Sequence, residues 1–396
     1  MQFKNLQIIL VFVTYVSFVL SSPIEVKDKT ASSIQNLKAT EEMQSITDKI
    51  KVTEFRGDDG VDALLEVGGF DNDSDMYRFI LDRMGYNITN IFINRKGMAC
   101  SAFHSPNEKG NGYYFGRNFD WVNDCNKLIM VNHPDNGYSS ISTVNTDFIS
   151  WVNENYPLEQ LMEIAVTQPE LIKPLPDELV RLVSLYIPVD GINEKGLSIS
   201  VNMVPGEFFN QNKEGLRHLT TGSANRVLLN KAANVDEALD ILKNSNLHST
   251  LDINIHFLIS DSTEKSVTVE YINNKMIVSE TKIITNFYIA DEIKEYSIDE
   301  DGRYKTIEDK MKQFPNMSIN NVRDTLNAVN QEEYTQWSVI YDQLNLEATY
   351  FFNINYEKGY HIKLFDDESD DETIVVSDLE TSIVFDDSDS DDESNF

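Results

Sequence analysis

Short segments of alternating apolar and polar residues recur from about residue 98 onward, and this pattern constrains the fold more than any other feature. Met98–Phe103 and Gly112–Phe119 are the first two predicted strands, joined by a polar turn. Two helices interrupt the strands: Ser223–Ala233, and a segment that Asn234 is expected to cap. Strand runs on both sides of a helical pair predict an α+β fold of antiparallel sheets covered by helices.

The other predicted elements follow the same periodicities. The remaining strands are expected at Lys127–Asn132, Tyr138–Asn145, Leu197–Met203, His256–Ser260, Ser266–Ile272, Met276–Glu280, Lys282–Phe287, Trp337–Tyr341, Ala348–Asn353 and His361–Phe365. Further helices are expected around Asp73–Met84 and from Ser318 onward.

The chain holds only two cysteines, Cys100 and Cys125, so one disulfide at most can form and stability must come from an apolar core. The six histidines show no metal-ligand spacing, which argues against a zinc site. The sequence also lacks a phosphate-binding loop, a dinucleotide fingerprint and a Gly-x-Ser-x-Gly elbow. No metal and no organic cofactor are therefore expected.

The first 21 residues have the features of a secretory signal peptide. Lys4 precedes an apolar run, Leu6–Leu20, that is short for a membrane span of about 20 residues. An uncleaved membrane anchor stays open as the alternative. Asn72 and Asn87 begin glycosylation sequons. A glycoprotein that is secreted, or retained in a lysosomal or other lumen of the secretory pathway, is expected.

Acidic residues dominate the charge, and they are concentrated at the end of the chain. Residues 366–396 hold 14 Asp and Glu and no Lys or Arg, which leaves −18 of the net charge of −32 (−32 minus −14) for the rest. This balance argues against nucleic acid or anionic membrane surfaces as partners. The tail is expected to be disordered. Weak calcium binding by the tail and a homo-oligomeric state stay open.

Cys100 is the residue that can carry chemistry. If the chain is cut before it, one residue supplies a thiol, with a pKa of about 8.5, and an α-amine, with a pKa of about 7.7–8.0, to act as its base. Residues 22–99 are then a pro-segment, with an amphipathic stretch at Ser33–Val52. A buried and inert cysteine in a strand is the alternative, and residue composition alone favours it.

Five sequence segments around and after Cys100 resemble one family. They are Met98–Phe103, Gly116–Trp121, Asp190–Leu197, Thr285–Asn286 and Gly302–Tyr304. In order and spacing they are similar to the choloylglycine hydrolases, linear amide C–N hydrolases that include bile-salt hydrolases and penicillin V acylases. This resemblance covers Cys100 to Phe365. It implies the four-layer αββα sandwich of the N-terminal nucleophile hydrolases, and a small-molecule N-acyl amide as the substrate.

The resemblance also implies a role for each matching residue. Cys100 would be the nucleophile, Asp120 would orient the new α-amine, and Arg117 would lie beside the thiolate and lower its pKa. Asn286 would match the asparagine whose amide binds the oxyanion, and Arg303 the late arginine of the pocket.

Asn202 is the candidate for the second oxyanion donor. It lies one residue closer to the preceding Asn-Glu-Lys-Gly motif than in bile-salt hydrolases, which weakens the match. The substrate pocket is expected among the loops, and its aromatic residues favour an apolar acyl group or serve ordinary packing. These residues are Phe148, Trp151, Phe208 and Phe209.

The position of Cys100 departs from the bile-salt hydrolases, which mostly expose the cysteine by losing an initiator methionine. Here 78 residues separate Ser21 from Cys100 (99 minus 21), as in relatives with a true pro-segment. The resemblance then implies an autocatalytic cut before Cys100, an Ntn-hydrolase domain over residues 100–365 and the tail beyond it. Two rivals remain: a Cys–His protease or transferase using His104 or His256, and an inactive secreted binding protein on the same fold with a cation-binding tail.

Overall fold

A computed structural model of the protein describes residues 43–83, 91–92, 98–122, 124–152, 172–173, 177–250, 253–290, 292–293, 302–365 and 377–380. The predicted signal peptide and the sequon at Asn87 lie outside these ranges. None of the helices within them is both long enough and apolar enough to cross a bilayer.

The described residues form 21 strands and seven α-helices. The strands are β1 Gln44–Thr47, β2 Ile50–Gly57, β3 Ile91–Phe92, β4 Met98–Pro106, β5 Tyr113–Trp121, β6 Lys127–Pro134, β7 Ser140–Asn145, β8 Ser150–Val152, β9 Ile172–Lys173, β10 Asp190–Asn193, β11 Ser198–Met203, β12 Arg217–Thr220, β13 Ser245–His248, β14 Ile255–Ser260, β15 Ser266–Ile272, β16 Lys275–Glu280, β17 Ile283–Ile284, β18 Thr335–Asp342, β19 Glu347–Phe352, β20 Lys358–Lys363 and β21 Ser377–Glu380. The helices are α1 Val61–Glu66, α2 Asp73–Arg83, α3 Asp177–Ser184, α4 Thr221–Lys231, α5 Val235–Lys243, α6 Arg303–Gln313 and α7 Ile319–Ala328.

Two large sheets hold most of these strands. One has nine strands in the order β1-β2-β6-β7-β10-β11-β14-β15-β16, and the other has seven in the order β17-β4-β5-β18-β19-β20-β21. Neighbouring strands in both sheets are antiparallel, except that β2 pairs with β6 in parallel. The antiparallel order follows from the short turns that join most successive strands.

The layers are stacked as helix, sheet, sheet, helix. Helices α4 and α5 pack on the nine-stranded sheet, while α6 and α7 pack on the seven-stranded sheet. The two sheets face each other where β4 packs on β11 and β14. Side chains alternate along β11, so Ser200 and Asn202 point to the other sheet and Val201 points to the helices. The predicted αββα sandwich is confirmed.

The segment before Cys100 is part of this sandwich. Strand β2 pairs with β6 over its whole length and buries Val52 and Phe55, where an amphipathic stretch reaching Val52 was expected. Helix α2 buries Met76 and Ile80 in the same core. Residues on either side of Cys100 therefore share one sheet and one core, and the division of the chain into four predicted segments stays a prediction.

Most predicted elements occur within a few residues of their expected ends. Asn234 caps α5 by accepting a hydrogen bond from the Glu237 backbone N–H at 3.0 Å, and Ser318 caps α7. The strand expected at Lys282–Phe287 is shorter than predicted, because only Ile283–Ile284 pairs with β4. In the acidic tail, β21 pairs with β20 where the charge density predicted no structure.

Candidate active site

The six residues that the resemblance singled out come together where the two sheets meet. Their positions are Cys100 on β4, Arg117 and Asp120 on β5, Asn202 on β11, Asn286 just after β17, and Arg303 as the first residue of α6. The site is therefore built from both sheets and one outer helix.

Cys100 is held through its backbone as well as its side chain. Its backbone N–H donates to Asn286 Oδ1 at 2.8 Å, and its carbonyl oxygen accepts from Arg303 Nη1 at 3.0 Å. Its sulfur lies 3.5 Å from Arg117 Nη2. The side chain is fully buried, so the thiol has no access to solvent while residues 98–100 continue one strand.

Burial raises the pKa of the Cys100 thiol, although several neighbours oppose that effect. The Arg117 guanidinium, the Asp120 backbone N–H and Arg303 each lower the pKa, whereas the Asp120 carboxylate raises it. The sequence predicted that Arg117 would lower this pKa. Arg117 does so, but in the uncut chain desolvation outweighs it and the net shift is upward.

Arg117 is anchored by a buried carboxylate. Its Nε lies 2.7 Å from Asp190 Oδ2, and both side chains are fully buried. Asp190 also accepts hydrogen bonds from Trp337 Nε1 at 3.1 Å and from the Tyr341 hydroxyl at 2.7 Å. A buried charge is tolerated when it is paired and its lone pairs are filled. Asp190 thus fixes the guanidinium whose other end faces the thiol.

The Asn202 side chain connects Arg117 to the segment that carries Asn286. Its Oδ1 accepts from Arg117 Nη1 at 2.7 Å and from the Ser200 hydroxyl at 2.9 Å. Its Nδ2 donates to the Thr285 carbonyl oxygen at 3.1 Å. The shorter spacing in the sequence therefore does not remove Asn202 from the site.

Asn286 is half-buried and has a similar arrangement of bonds. Its Oδ1 accepts from the Cys100 N–H and also from Arg303 Nη2 at 2.8 Å, while its Nδ2 donates to the Met203 carbonyl oxygen at 2.7 Å. Both candidate oxyanion asparagines thus direct their Nδ2 groups at backbone carbonyls in the uncut chain.

Asp120 lies beside the bond between Ala99 and Cys100, which is the predicted cleavage site. Its register partner across β4 and β5 is Ala99. One carboxylate oxygen accepts from the Thr335 hydroxyl at 2.6 Å, and the other is 3.4 Å from Arg303 Nη1. This position is compatible with a later hydrogen bond from an α-amine on Cys100.

The histidines of the rival interpretation do not contact the thiol. Both ring nitrogens of His256 are engaged, Nδ1 with Glu270 at 3.0 Å and Nε2 with the Thr285 carbonyl at 3.1 Å. His104 lies four residues from Cys100 on β4 and stacks on Tyr113. Among the described residues, no cluster of three or more His, Cys, Asp or Glu side chains could hold a metal ion.

The four aromatic residues expected in the pocket have different environments. Phe148 lines a cleft of about 480 Å³, open solvent included, between the nine-stranded sheet and its helices, together with Tyr77 and Val201. Phe209 packs in the core against Tyr271. Phe208 is 44% exposed, and the side chain of Trp151 lies outside the described residues. The cleft is on the opposite side of β11 from Asn202.

The sequence did not identify Asp190, Trp337 and Tyr341 as the residues that hold Arg117 in the site. Asp190 opens the Asp-Gly-x-Asn motif, so its place in that motif was a signal for its role. Trp337 and Tyr341 could be predicted only as strand residues, because their partner Asp190 is far away in the chain.

The helix–sheet–sheet–helix order is the one that the resemblance in the sequence implied. Residues 100–288 match the sequence model of the linear amide C–N hydrolases, choloylglycine hydrolase family. The resemblance to this family seen in the sequence is thus confirmed over this segment. The match supports hydrolysis of linear amides as the reaction class.

Solved structures of two such enzymes are similar to this chain. A mutant of the conjugated bile acid hydrolase from Clostridium perfringens is 17% identical with a TM-score of 0.46, covering 70% of this chain and 96% of that one. Penicillin V acylase from Agrobacterium tumefaciens is 15% identical with a TM-score of 0.45, covering 64% and 83%. No curated protein matches the chain. The fold assignment rests on the layer order of this chain itself.

Proposed function

We propose that this protein is a cysteine-type hydrolase that cleaves the C–N bond of non-peptide linear amides after a cut between Ala99 and Cys100. One observation carries the proposal: Asn286 Oδ1 accepts the Cys100 N–H at 2.8 Å, and Arg303 bonds both to that oxygen and to the Cys100 carbonyl. The backbone N–H that the cut would turn into an amine is thus already held inside the site.

Maturation would use the same sulfur as catalysis. The Cys100 thiolate attacks the Ala99 carbonyl carbon, the C–N bond breaks, and the acyl chain moves to sulfur as a thioester. Water then hydrolyses the thioester, which releases the carboxylate of Ala99 and leaves a free thiol and α-amine on Cys100. The full burial of Cys100 in the uncut chain supports such a precursor, because no external substrate reaches a thiol without solvent access.

Turnover would follow from the freed residue. The α-amine, oriented by Asp120, takes the thiol proton, and the thiolate attacks the amide carbonyl. Asn286 and Asn202 would turn their Nδ2 groups from backbone carbonyls to the oxyanion. The amine protonates the leaving nitrogen, the C–N bond breaks, and water hydrolyses the acyl-thioester to the acid. Arg117 beside the sulfur favours the thiolate.

The setting of the enzyme is also a proposal. Residues 1–21 support secretion or delivery to a lysosomal lumen, and the Asn72 sequon supports a glycoprotein. A small-molecule N-acyl amide as the substrate is supported by the match to the linear amide C–N hydrolases. Weak calcium binding by the acidic tail and a homo-oligomer remain proposals that rest on the sequence alone.

A panel of aminomethylcoumarin amides with acetyl, phenoxyacetyl, lauroyl and choloyl groups tests this function. We expect the matured wild type to release the coumarin from at least one of them. Cys100→Ser should cleave slowly or normally before residue 100 and show no turnover, and Cys100→Ala should stay uncut. Cys125→Ser is the matched control, because burial raises the pKa of Cys125 to about 12 and keeps it unreactive.

The panel also separates the proposal from the inactive binding protein. That alternative predicts no release of coumarin by the wild type and no difference between wild type and Cys100→Ala. Processing that survives Cys100→Ala would show that an outside protease makes the cut, and would remove the self-cleavage step from the proposal.

A further inference from the structure

Three buried polar side chains lie side by side on the inner face of the nine-stranded sheet. Asn202 on β11 is the register partner of His256 on β14, and His256 contacts Glu270 on the next strand, β15. All three side chains are fully buried. Asn202 is a proposed oxyanion donor, so a histidine–carboxylate pair lies next to the site without contacting the thiol.

The hydrogen bonds of this pair leave little freedom in its orientation. His256 Nε2 is 3.1 Å from the Thr285 carbonyl oxygen, which can only accept, so Nε2 carries a hydrogen. His256 Nδ1 is 3.0 Å from Glu270 Oε1. Glu270 in turn accepts the backbone N–H of Ile289 on Oε1 and that of Ala290 on Oε2, both at 2.8 Å. The His256–Glu270 pair is thus hydrogen-bonded to the backbone at three residues, Thr285, Ile289 and Ala290.

These three points enclose Asn286 on both sides. Thr285 is the residue before Asn286, and Ile289 and Ala290 follow shortly after it. The Thr285 carbonyl also accepts from Asn202 Nδ2 at 3.1 Å, so it joins His256 to both asparagines. We propose that His256 and Glu270 are positioning residues that align Asn286 and Asn202 for the oxyanion. The proposal rests on the amide hydrolase function and names two further residues that this function needs.

The free-energy cost of burying ionisable groups favours a positioning role for His256 and Glu270 over a stabilising one. A buried ionisable pair is often replaceable by apolar residues without loss of stability, because desolvation offsets the attraction within the pair. What such a pair provides here is a fixed orientation, since both ring nitrogens of His256 and both carboxylate oxygens of Glu270 have hydrogen-bond partners. A misplacement of about 1 Å at a reacting group can lower the rate about 100-fold.

Glu270→Gln tests the proposal. The variant keeps the shape of the side chain, but its amide nitrogen cannot accept a hydrogen bond, so one of the two backbone N–H groups loses its acceptor. With the coumarin amide on which the wild type is most active, we expect kcat to fall about 10- to 100-fold and KM to change less than about twofold. Thr268→Val is the matched control on β15, and it should retain wild-type kcat.

A second measurement separates alignment from general loss of structure. The aldehyde with the same acyl group adds to the Cys100 thiol, and the resulting oxygen occupies the oxyanion position, whereas the free acid binds without that bond. We expect Ki for the aldehyde to rise about 10- to 100-fold in parallel with kcat, and Ki for the acid to stay within about twofold.

His256→Gln is the second variant and should repeat this split between aldehyde and acid. Unchanged kcat in folded Glu270→Gln, or equal rises in both Ki values, would overturn the proposal. If neither variant folds, the role of the pair is structural and the proposal is wrong. A wild type that releases coumarin from no panel member would instead contradict the proposed function.

Discussion

Asn286 Oδ1 lies 2.8 Å from the backbone nitrogen of Cys100, although 185 residues separate them in the chain (286 minus 100, less one). The same oxygen accepts from Arg303 Nη2, and Arg303 also binds the Cys100 carbonyl. A cut before Cys100 would give this nitrogen more hydrogens without moving its acceptor. The amine would therefore form inside a site that already binds it.

Asp190→Asn should affect both stability and catalysis. It removes the counter-charge of the fully buried Arg117 guanidinium and leaves an unpaired cation. Breaking such a pair costs about 3–5 kcal/mol of unfolding free energy, and the displaced guanidinium should lower kcat/KM about 100-fold. Urea unfolding and coumarin release measure the two effects.

The control for this substitution is Asp236→Asn. Asp236 pairs with Lys265 on the surface, where the side chains are 73% and 42% exposed. Its loss should change the unfolding free energy by less than about 1 kcal/mol and leave turnover unaltered. Equal effects of the two substitutions would contradict the role given to Asp190.

The N-terminal fragment should stay bound after the cut. Its Asp59 accepts hydrogen bonds from Asn132 Nδ2 at 2.9 Å and Asn230 Nδ2 at 2.5 Å, and Tyr186 donates to its backbone carbonyl at 2.6 Å. Burial lowers the pKa of Arg226 to about 10, and the charge of Asp59 opposes that shift. The two fragments should co-elute in gel filtration and separate only on a denaturing gel.

Asp59→Ala should weaken this association, because it leaves the buried amides of Asn132 and Asn230 without their acceptor and removes a negative charge that acts on the buried Arg226. We expect a loss of about 3 kcal/mol in unfolding free energy and release of the fragment during gel filtration. Asp62→Ala is the control on the same fragment, because Asp62 is 43% exposed in its ion pair with Lys231. It should retain the fragment.

Stability should fall in mild acid, in part because of His104. Burial lowers the pKa of this fully buried histidine to about 4, against about 6.5 in an unfolded chain. Between these values the unfolded state binds more protons, so the contribution is complete above pH 6.5 and is lost as the pH falls toward 4. From pH 8 to pH 5 the loss from this residue is about 2 kcal/mol.

His104→Phe isolates that contribution, since it keeps the ring that stacks on Tyr113 and removes the titrating group. Urea unfolding at pH 8 and pH 5 should show the variant losing about 2 kcal/mol less than the wild type between the two pH values. Identical losses would show that His104 has no part in the acid sensitivity.

Local patterns in the sequence predicted what depends on neighbouring residues. Strands β4 and β5 follow from alternation, and Asn234 and Ser318 are caps because polar side chains precede helical periodicity. The six site residues could be named because each lies within a motif. Their convergence was implied by the resemblance, and the contacts among them are what the structure adds.

Features that depend on distant partners could not be predicted. Strand β2 carries two polar residues, Thr53 and Glu54, that are buried in the sheet. Because buried strands are expected to be apolar, the sequence did not predict a strand here. The ion pair between Arg117 and Asp190 joins two motifs that lie far apart in the chain, so no local sequence pattern predicts it. The sequence leaves His256 open as a base for the thiol, because no residue near it in the chain shows that Glu270 and Thr285 contact its two ring nitrogens.

N-terminal sequencing of the purified, active protein shows whether Cys100 is the first residue of the working enzyme. If the thiol of Cys100 cuts the bond before it, sequencing should find two chains, one of which begins with Cys100, and a Cys100→Ala protein that remains a single chain. A wild-type protein that hydrolyses amides while the bond between Ala99 and Cys100 is intact would contradict this prediction.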